Sequence, residues 1–226
     1  MRIKTDKDIY DALQKNKMAL LNKKIPCQYP KDMAKVMQPF KGKFYIDKFD
    51  LINISSFVPV SANWVKPLSA FIGDKKCLEI MAGKGVLSKA LSDYGTDIRA
   101  TDDYSWRWHR NRQNKDGEGL KREELWHNVE QLDCVESVSR YGRAVDFIIC
   151  CCPPFGSDSL YCALLKMRKL NPNCMLIYIG EGKGGCHGEA RFFNEAKFIR
   201  DNTAFNHAAS LYQSWPLVYE TVNLVV

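Results

Sequence analysis

No stretch of this chain is apolar for long enough to cross a bilayer. The longest runs, such as the one around residues 145–152, fall far short of the roughly 20 residues that a spanning helix needs. The opening Met1-Arg-Ile-Lys-Thr-Asp leads into charge and not into an apolar signal core, so nothing in it marks the chain for export. Repeats at solenoid or propeller periods are missing, as are heptads and low-complexity tracts. No CxxC pair exists and no Cys/His cluster has zinc-ligand spacing, so no metal is expected. These absences leave a cytoplasmic globular protein with no membrane partner. Its 226 residues suffice for one large domain, or for one domain and a small appendage, and such a chain buries about 70% of its unfolded surface.

Nine cysteines are present, an odd number, and three are consecutive at Cys150, Cys151 and Cys152. Neighbouring strand residues point to opposite faces, so this triplet cannot form a disulfide framework and reads as reduced thiols used as small apolar residues. The net charge of +7 is unevenly placed: residues 1–48 hold twelve basic against five acidic side chains, while the remainder balances. A basic segment on a neutral domain attracts phosphate-rich or acidic partners, or is simply a solvated lysine-rich helix face.

Thr5-x-x-Asp8 opens a helical pattern to about Asn22, with Ile9, Leu13 and Leu20 on one face, and a shorter helix is predicted over Lys31–Gln38. Asn63–Ile72 reads as a helix with Trp64, Leu68 and Phe71 on its apolar face, stopped by Gly73. Strands and helices then alternate. Lys76–Met81, Asp97–Thr101, Val129–Leu132, Val145–Cys151 and Met175–Ile179 read as strands. Val86–Tyr94, Cys134–Tyr141 and Ser157–Leu170 read as helices, and residues 105–126 as a polar stretch with helix at both ends. Such alternation implies parallel strands joined by helical crossovers, with helices on both faces. Ala208–Trp215 and Tyr219–Val226 are two strand-like runs about Pro216, an antiparallel hairpin at the sheet edge.

The segment richest in chemistry is Cys77-Leu-Glu-Ile-Met-Ala-Gly-Lys-Gly-Val-Leu-Ser-Lys-Ala-Leu91. A buried strand runs into an acid, a small-residue turn and a helix, so that Gly83 and Gly85 let a ligand approach bare backbone beside free helix N–H groups. The dinucleotide GxGxxG pattern needs glycine where Ser88 stands, and Gly-Lys-[Ser/Thr] at P-loop spacing is missing. On these residues the chain, from about Lys75 to Val226, resembles the class I, Rossmann-like S-adenosylmethionine-dependent methyltransferases. Glu79-Ile-Met81-Ala82-Gly83-Lys-Gly85 stands for that family's acidic-x-Gly-x-Gly-x-Gly turn, with Met81 in place of the first glycine.

The resemblance implies a seven-stranded, mostly parallel sheet with a C-terminal antiparallel hairpin, and S-adenosylmethionine as cofactor. A basic, mostly helical N-terminal extension over 1–56, a possible substrate cap, would precede the cofactor domain at 57–226. The family's pattern implies that Glu79 orders the turn near the methionyl end while the backbone from Met81 and Ala82 to Gly85 packs against the cofactor. It implies that Asp102, with Asp103 adjacent, accepts from both ribose hydroxyls, and that Leu132 and Asp133 lie near the adenine. Asp133 also reads as a plain helix N-cap.

In open parallel sheets the ligand crevice lies at the carboxyl ends of the strands, so the ends of the fourth and fifth strands should flank the reacting methyl. The fourth ends Cys152-Pro153-Pro154-Phe155, which resembles the [Asp/Asn]-Pro-Pro-[Tyr/Phe] motif of methyltransferases acting on amino groups of nucleobases or amides. Cys152 takes the polar position there and also borders the cofactor, although a thiol is a poor acceptor. Pro153, Pro154 and Phe155 would wall a flat substrate pocket, or Phe155 would sit in the core. After the fifth strand, Gly180-Glu181-Gly-Lys-Gly-Gly-Cys-His187-Gly reads as a flexible functional loop, with Glu181 and His187 as candidate bases or acceptor clamps, or as a solvated loop. Asp103-Tyr-Ser-Trp106-Arg-Trp108-His109-Arg110 would cover the adenosine, touch substrate, or form a helix with an aromatic core face. The acceptor is open among nucleic acid, protein and small molecule, tilted toward a planar amine. A non-catalytic binding module and a dinucleotide oxidoreductase are the alternatives.

Overall fold

The computed structural model describes residues 5–37, 44–105 and 124–226. In chain order the elements are α1 (Asp6–Leu21), α2 (Ala34–Met37), α3 (Lys48–Ile54), α4 (Ala62–Ile72), β1 (Lys76–Ile80), α5 (Val86–Asp93), β2 (Asp97–Asp102), β3 (Val129–Gln131), α6 (Cys134–Tyr141), β4 (Phe147–Cys151), α7 (Ser159–Leu170), β5 (Met175–Gly180), α8 (Ala190–Glu195), β6 (Phe198–Ile199), α9 (Thr203–Ser210) and β7 (Thr221–Val225). The sheet order is β3-β2-β1-β4-β5-β7-β6. The first five strands in this order run parallel, whereas β7 is antiparallel to both β5 and β6. This is the seven-stranded Rossmann-like sheet with an antiparallel edge. The strand order reverses between β1 and β4, which opens a crevice at the carboxyl ends of the two strands.

Alternation along each strand divides the core in two. Cys77, Phe147, Ile149, Ile177, Ile179 and Leu224 face one layer, while Leu78, Ile80, Ile148, Cys150, Leu176 and Tyr178 face the other. The first layer is closed by α4, α5 and α9, and the second by α6, α7 and α8. At the edge of the first layer stand Ile9, Leu13 and Leu20 of α1 with Tyr29, Met33 and Val36, all buried in the same cluster as the sheet residues. The N-terminal segment is therefore continuous with the core and not an appendage to it. A Thr5–Asp8 capping box starts α1, with Asp8 N donating to Thr5 Oγ1 at 3.2 Å and Thr5 N to Asp8 Oδ2 at 2.8 Å. Lysines of this segment reach surface carboxylates: Lys7 to Asp11, Lys17 to Asp50 and Lys35 to Asp32.

Several elements differ from the sequence reading, each for a physical reason. The hairpin forms, but its first strand is Phe198–Ile199. Ala208–Ser210 instead ends α9 and residues 211–215 continue as turn and irregular chain, because Asn202 caps that helix by accepting from Phe205 N at 3.0 Å and Phe205 and Ala208 bury at helical spacing. Helices α3 and α8 were not anticipated. Asp47, which accepts from Phe49 N at 2.9 Å, starts the first of them. Helix α5 ends at Asp93, one residue short of the expected Tyr94, which is 41% exposed. The expectations for residues 106–123, including the Trp106-to-Arg110 cluster beyond Ser105, lie outside the described residues. No helix among the described residues is long and apolar enough to cross a membrane.

Candidate functional site

The turn between β1 and α5 has three residues at positive φ: Met81 (53°), Gly83 (54°) and Gly85 (71°). Two of its glycines serve different ends. A Cβ at Gly85 would stand 2.7 Å from Val129 Cγ2 and 3.0 Å from His127 Cβ, so Gly85 is required by packing against β3. A Cβ at Gly83 would meet nothing within 4 Å, because that position faces open space. The space is a cavity of about 340 Å³ whose wall includes Glu79, Met81, Ala82, Gly83, Asp102, Asp103, Leu132, Asp133, Cys152 and Pro154. The acids from the ends of β1, β2 and β3 thus border one hollow, and that size suits a small-molecule cofactor.

Their hydrogen bonds separate their tasks. Glu79 is fully buried, and its Oε2 accepts from the backbone N of Ser88 at 3.0 Å and from the Ser88 hydroxyl. Loss of hydration pushes its carboxyl up to about 7, against the pull of the Ser88 hydrogen bonds. Ser88, at the position where a dinucleotide motif would have glycine, is thereby the anchor that ties strand to helix. Asp102 is also buried. Its Oδ2 accepts from Gly83 N and its Oδ1 from Tyr104 N, both at 2.7 Å. Burial again raises its carboxyl above the usual range. Asp102 laces the turn, and the exposed Asp103, which lines the cavity, holds Ser105 N at 2.8 Å through Oδ1 and accepts no hydrogen bond at Oδ2 among the described residues. Asp133 caps α6, accepting from Val135 N at 2.9 Å and Glu136 N at 3.2 Å through Oδ1 alone. Its helix-capping and cavity-lining positions coexist.

Residues from both sides of position 56 also line the cavity: Ser55, Ser56, Phe57 and Val58. Lys84 in the turn donates to the Asn53 carbonyl, and Trp126 Nε1 donates to the Ile54 carbonyl at 3.3 Å. The boundary drawn from composition at residue 56 therefore runs through a single wall, because charge marks the solvent face while apolar spacing marks what is buried.

At the ends of β4 and β5 the structure departs from the expectations. Cys152 has φ of 47°, an unusual conformation for a side chain with a Cβ, and its Sγ donates to Glu220 Oε1 at 3.6 Å. The Pro153 carbonyl accepts from Gly188 N at 3.1 Å, and Pro154 pairs with His187 as an isolated bridge. The strand tip and the glycine loop are therefore stitched together. Phe155 is 70% exposed and so is not a core residue. It borders a second, shallower depression with Glu181, Lys183, Cys186 and the 81%-exposed Tyr219.

The loop is not slack. Glu181 Oε2 accepts from Cys186 N at 2.6 Å and its Oε1 from Tyr219 N at 2.9 Å, which holds the carboxyl below its ordinary range. A Cβ at Gly185 would stand 2.5 Å from Glu181 Cβ, so glycine there serves close packing. Glu181 is an ionised organiser of the loop, poorly suited to act as a base. His187 Nδ1 accepts from Glu181 N at 3.3 Å, and burial lowers its tendency to protonate.

Sequence reasoning missed Glu220. It is 6% exposed, accepts from the Tyr212 hydroxyl at 2.8 Å through Oε2, and has its carboxyl raised by burial. The available signal was its position just before the apolar run of β7. An antiparallel strand beside β5 starts at the edge where β4 and β5 end, so an acid there joins their tips. One ligand atom each from Cys152, His187 and Glu220 falls within 4.8 Å of the others.

No family model and no curated protein matches the sequence. Among solved structures the chain is similar to magnesium protoporphyrin IX methyltransferase (ChlM) from Synechocystis PCC 6803 with bound SAM, at 12% identity and a TM-score of 0.46 over 100% of this chain and 99% of that one. It is also similar to a TehB-like SAM-dependent methyltransferase from Corynebacterium glutamicum, at 12% identity and a TM-score of 0.37 over 73% and 86%. A third likeness is to a SAM-dependent methyltransferase from Agrobacterium tumefaciens, at 16% identity and a TM-score of 0.38 over 72% and 58%.

Proposed function

We propose that this protein is a methyltransferase that binds S-adenosylmethionine in the cavity after β1. The observation that carries this reading is the convergence of four acids from three strand ends on one hollow beside a bare-backbone turn. The open space at Gly83 is a cradle that a Cβ would begin to fill, and it fits a cofactor lying against main chain. Glu79 and Asp102 brace the turn through Ser88 and Gly83, while the Ala82–Gly83 backbone packs against the methionyl part. Asp103, with Asp102 next to it, is the carboxylate whose remaining oxygen suits vicinal ribose hydroxyls. Leu132 and Asp133 border the adenine position.

When bound, S-adenosylmethionine supplies an electrophilic methyl group, so the chain's own residues need to align the acceptor and exclude water more than provide a powerful base. Pro154, on the cavity wall, and the exposed Phe155 suit a planar amine, such as a nucleobase or an amide. A second reading, a cofactor-binding module without catalysis, is favoured by one observation: the thiol of Cys152 is turned to Glu220.

Calorimetric titration with S-adenosylmethionine, its demethylated product and NAD tests the cofactor, and methyl release onto nucleic acid, protein and metabolite pools tests catalysis. Gly83→Val should weaken S-adenosylmethionine binding at least 100-fold while the far-ultraviolet circular dichroism stays that of the native chain. Retained affinity in that variant, or tighter binding of NAD, would overturn the assignment of the turn.

A further inference from the structure

The structure brings a thiol, an imidazole and a carboxylate together at the ends of β4, β5 and β7, and we infer that Cys152, His187 and Glu220 form a zinc-binding site. Their donor atoms converge within 4.8 Å, although the residues are tens of positions apart in sequence. The one separation set by a direct contact, 3.6 Å between Cys152 Sγ and Glu220 Oε1, matches the geometry of a shared ion. Zinc–sulfur and zinc–oxygen bonds in a tetrahedral site hold S and O about 3.5 Å apart.

The mixed S, N, O donor set selects the ion. Magnesium and calcium want oxygen ligands, whereas zinc accepts thiolate, imidazole and carboxylate together. Glu220 supplies a reason for a cation to be there. It is buried, and among the described residues its hydrogen-bond partners are a thiol and a phenol, with no ion pair to a basic side chain. A buried carboxylate with no direct ion pair, and only Lys48 as a more distant positive charge, is costly, and a divalent ion lowers that cost.

The supports around the three side chains have the form of an outer shell. Tyr212 holds Oε2 of Glu220 and leaves Oε1 toward Cys152. His187 is positioned by its backbone bridge to Pro154, two residues beyond Cys152, so one strap fixes two ligands. Its ring contact with Glu181 N, at 3.3 Å, is long enough to yield if Nδ1 becomes the ligand. Glu181 itself is occupied by backbone N–H groups at both oxygens and is left out of the set. Cys152 holds its side chain in this direction at a φ of 47°, a conformation that calls for a compensating gain. On binding, the Cys152 S–H bond breaks, its proton passes to solvent, and the thiolate sulfur bonds to zinc. No electron transfer is involved. Three protein ligands leave a fourth position for water.

The test uses the full chain, reduced and stripped of metal, with zinc measured by competition against a chromogenic chelator. One zinc per chain is expected. Cys152→Ser, Glu220→Gln and His187→Asn should each weaken it at least 100-fold, and Tyr212→Phe about 10- to 100-fold, as loss of an outer-shell partner does. Cys162→Ser, which alters an exposed thiol on α7, should leave it unchanged. Cobalt in the unmodified protein should give a thiolate-to-cobalt charge-transfer band, a reading that survives even if the variants fail to fold. Absence of stoichiometric zinc, absence of that band, or zinc binding unaffected by both Cys152→Ser and Glu220→Gln would each overturn the site.

Discussion

The turn after β1 and the cluster at the ends of β4 and β7 each bury a carboxylate at a strand end, and they treat it in opposite ways. Glu79 gives one oxygen to two donors of Ser88, and its neighbour Asp102 spends both oxygens on backbone N–H groups. Glu220 has a phenol and a weakly donating thiol. The first region is satisfied within itself and presents its bare backbone outward. The second gathers ligands whose charge is not balanced inside the cluster. A buried acid held by backbone amides stabilises a shape, and one held by a thiol and a phenol has weaker partners that a cation can replace or supplement.

The comparison is tested most severely at Gly85. If the turn is a packed device and not a mobile one, Gly85→Val should destabilise the chain by about 3 kcal/mol, since the added group meets Val129 and the backbone stays at positive φ. For a chain of this size that is a fall of roughly 6–12 °C in Tm. A melting temperature within 2 °C of the unmodified protein would show the turn to be slack.

The next effect is a dependence on pH. Glu79 has its folded carboxyl raised to about 7 from an ordinary 4.5, so the folded chain binds its proton more tightly than the unfolded one. The associated stability is fully present below about pH 4.5 and is lost as pH rises through 7, a change of roughly 3 kcal/mol. Asp102 acts in the same direction. Denaturant unfolding from pH 5 to 8 should show declining stability in the unmodified chain and a much flatter profile in Glu79→Gln. Equal slopes would mean that the Ser88 hydrogen bonds offset the burial of Glu79 completely.

What could be read from sequence follows the same division. The turn was legible because strand, acid, glycines and helix are consecutive, so local spacing alone implies their contacts. The parallel order was legible from alternating periods, and the antiparallel edge from the apolar run of β7. Ala208–Trp215 misled because its apolar residues fit either period over so short a span, whereas the Asn202 cap upstream makes its first three residues the end of a helix and the rest is irregular chain. The second cluster escaped since metal-spacing rules look for ligands close in sequence. Cys152, His187 and Glu220 meet only after three strand ends are aligned by the sheet. Glu181 stands out in the sequence but its role does not: five glycines suggest slackness, whereas two backbone amides and close packing at Gly185 fix the loop around its carboxylate.

The smallest effect asks whether the satisfied region is wholly structural. Asp133 caps α6 through Oδ1 only, and it also borders the cavity. Asp133→Ala removes both features and should cost about 1 kcal/mol of stability, or 2–4 °C in Tm. Asp133→Ser restores a side-chain cap but is shorter and uncharged, so its melting temperature should return to within about 1 °C while the carboxylate's reach into the cavity stays lost. If the remaining oxygen takes part in cofactor recognition, both variants should weaken S-adenosylmethionine binding by about 5-fold, the worth of one hydrogen bond. Should Asp133→Ser bind as tightly as the unmodified chain, Asp133 is a helix cap alone, and Leu132 is what the third strand contributes to the hollow.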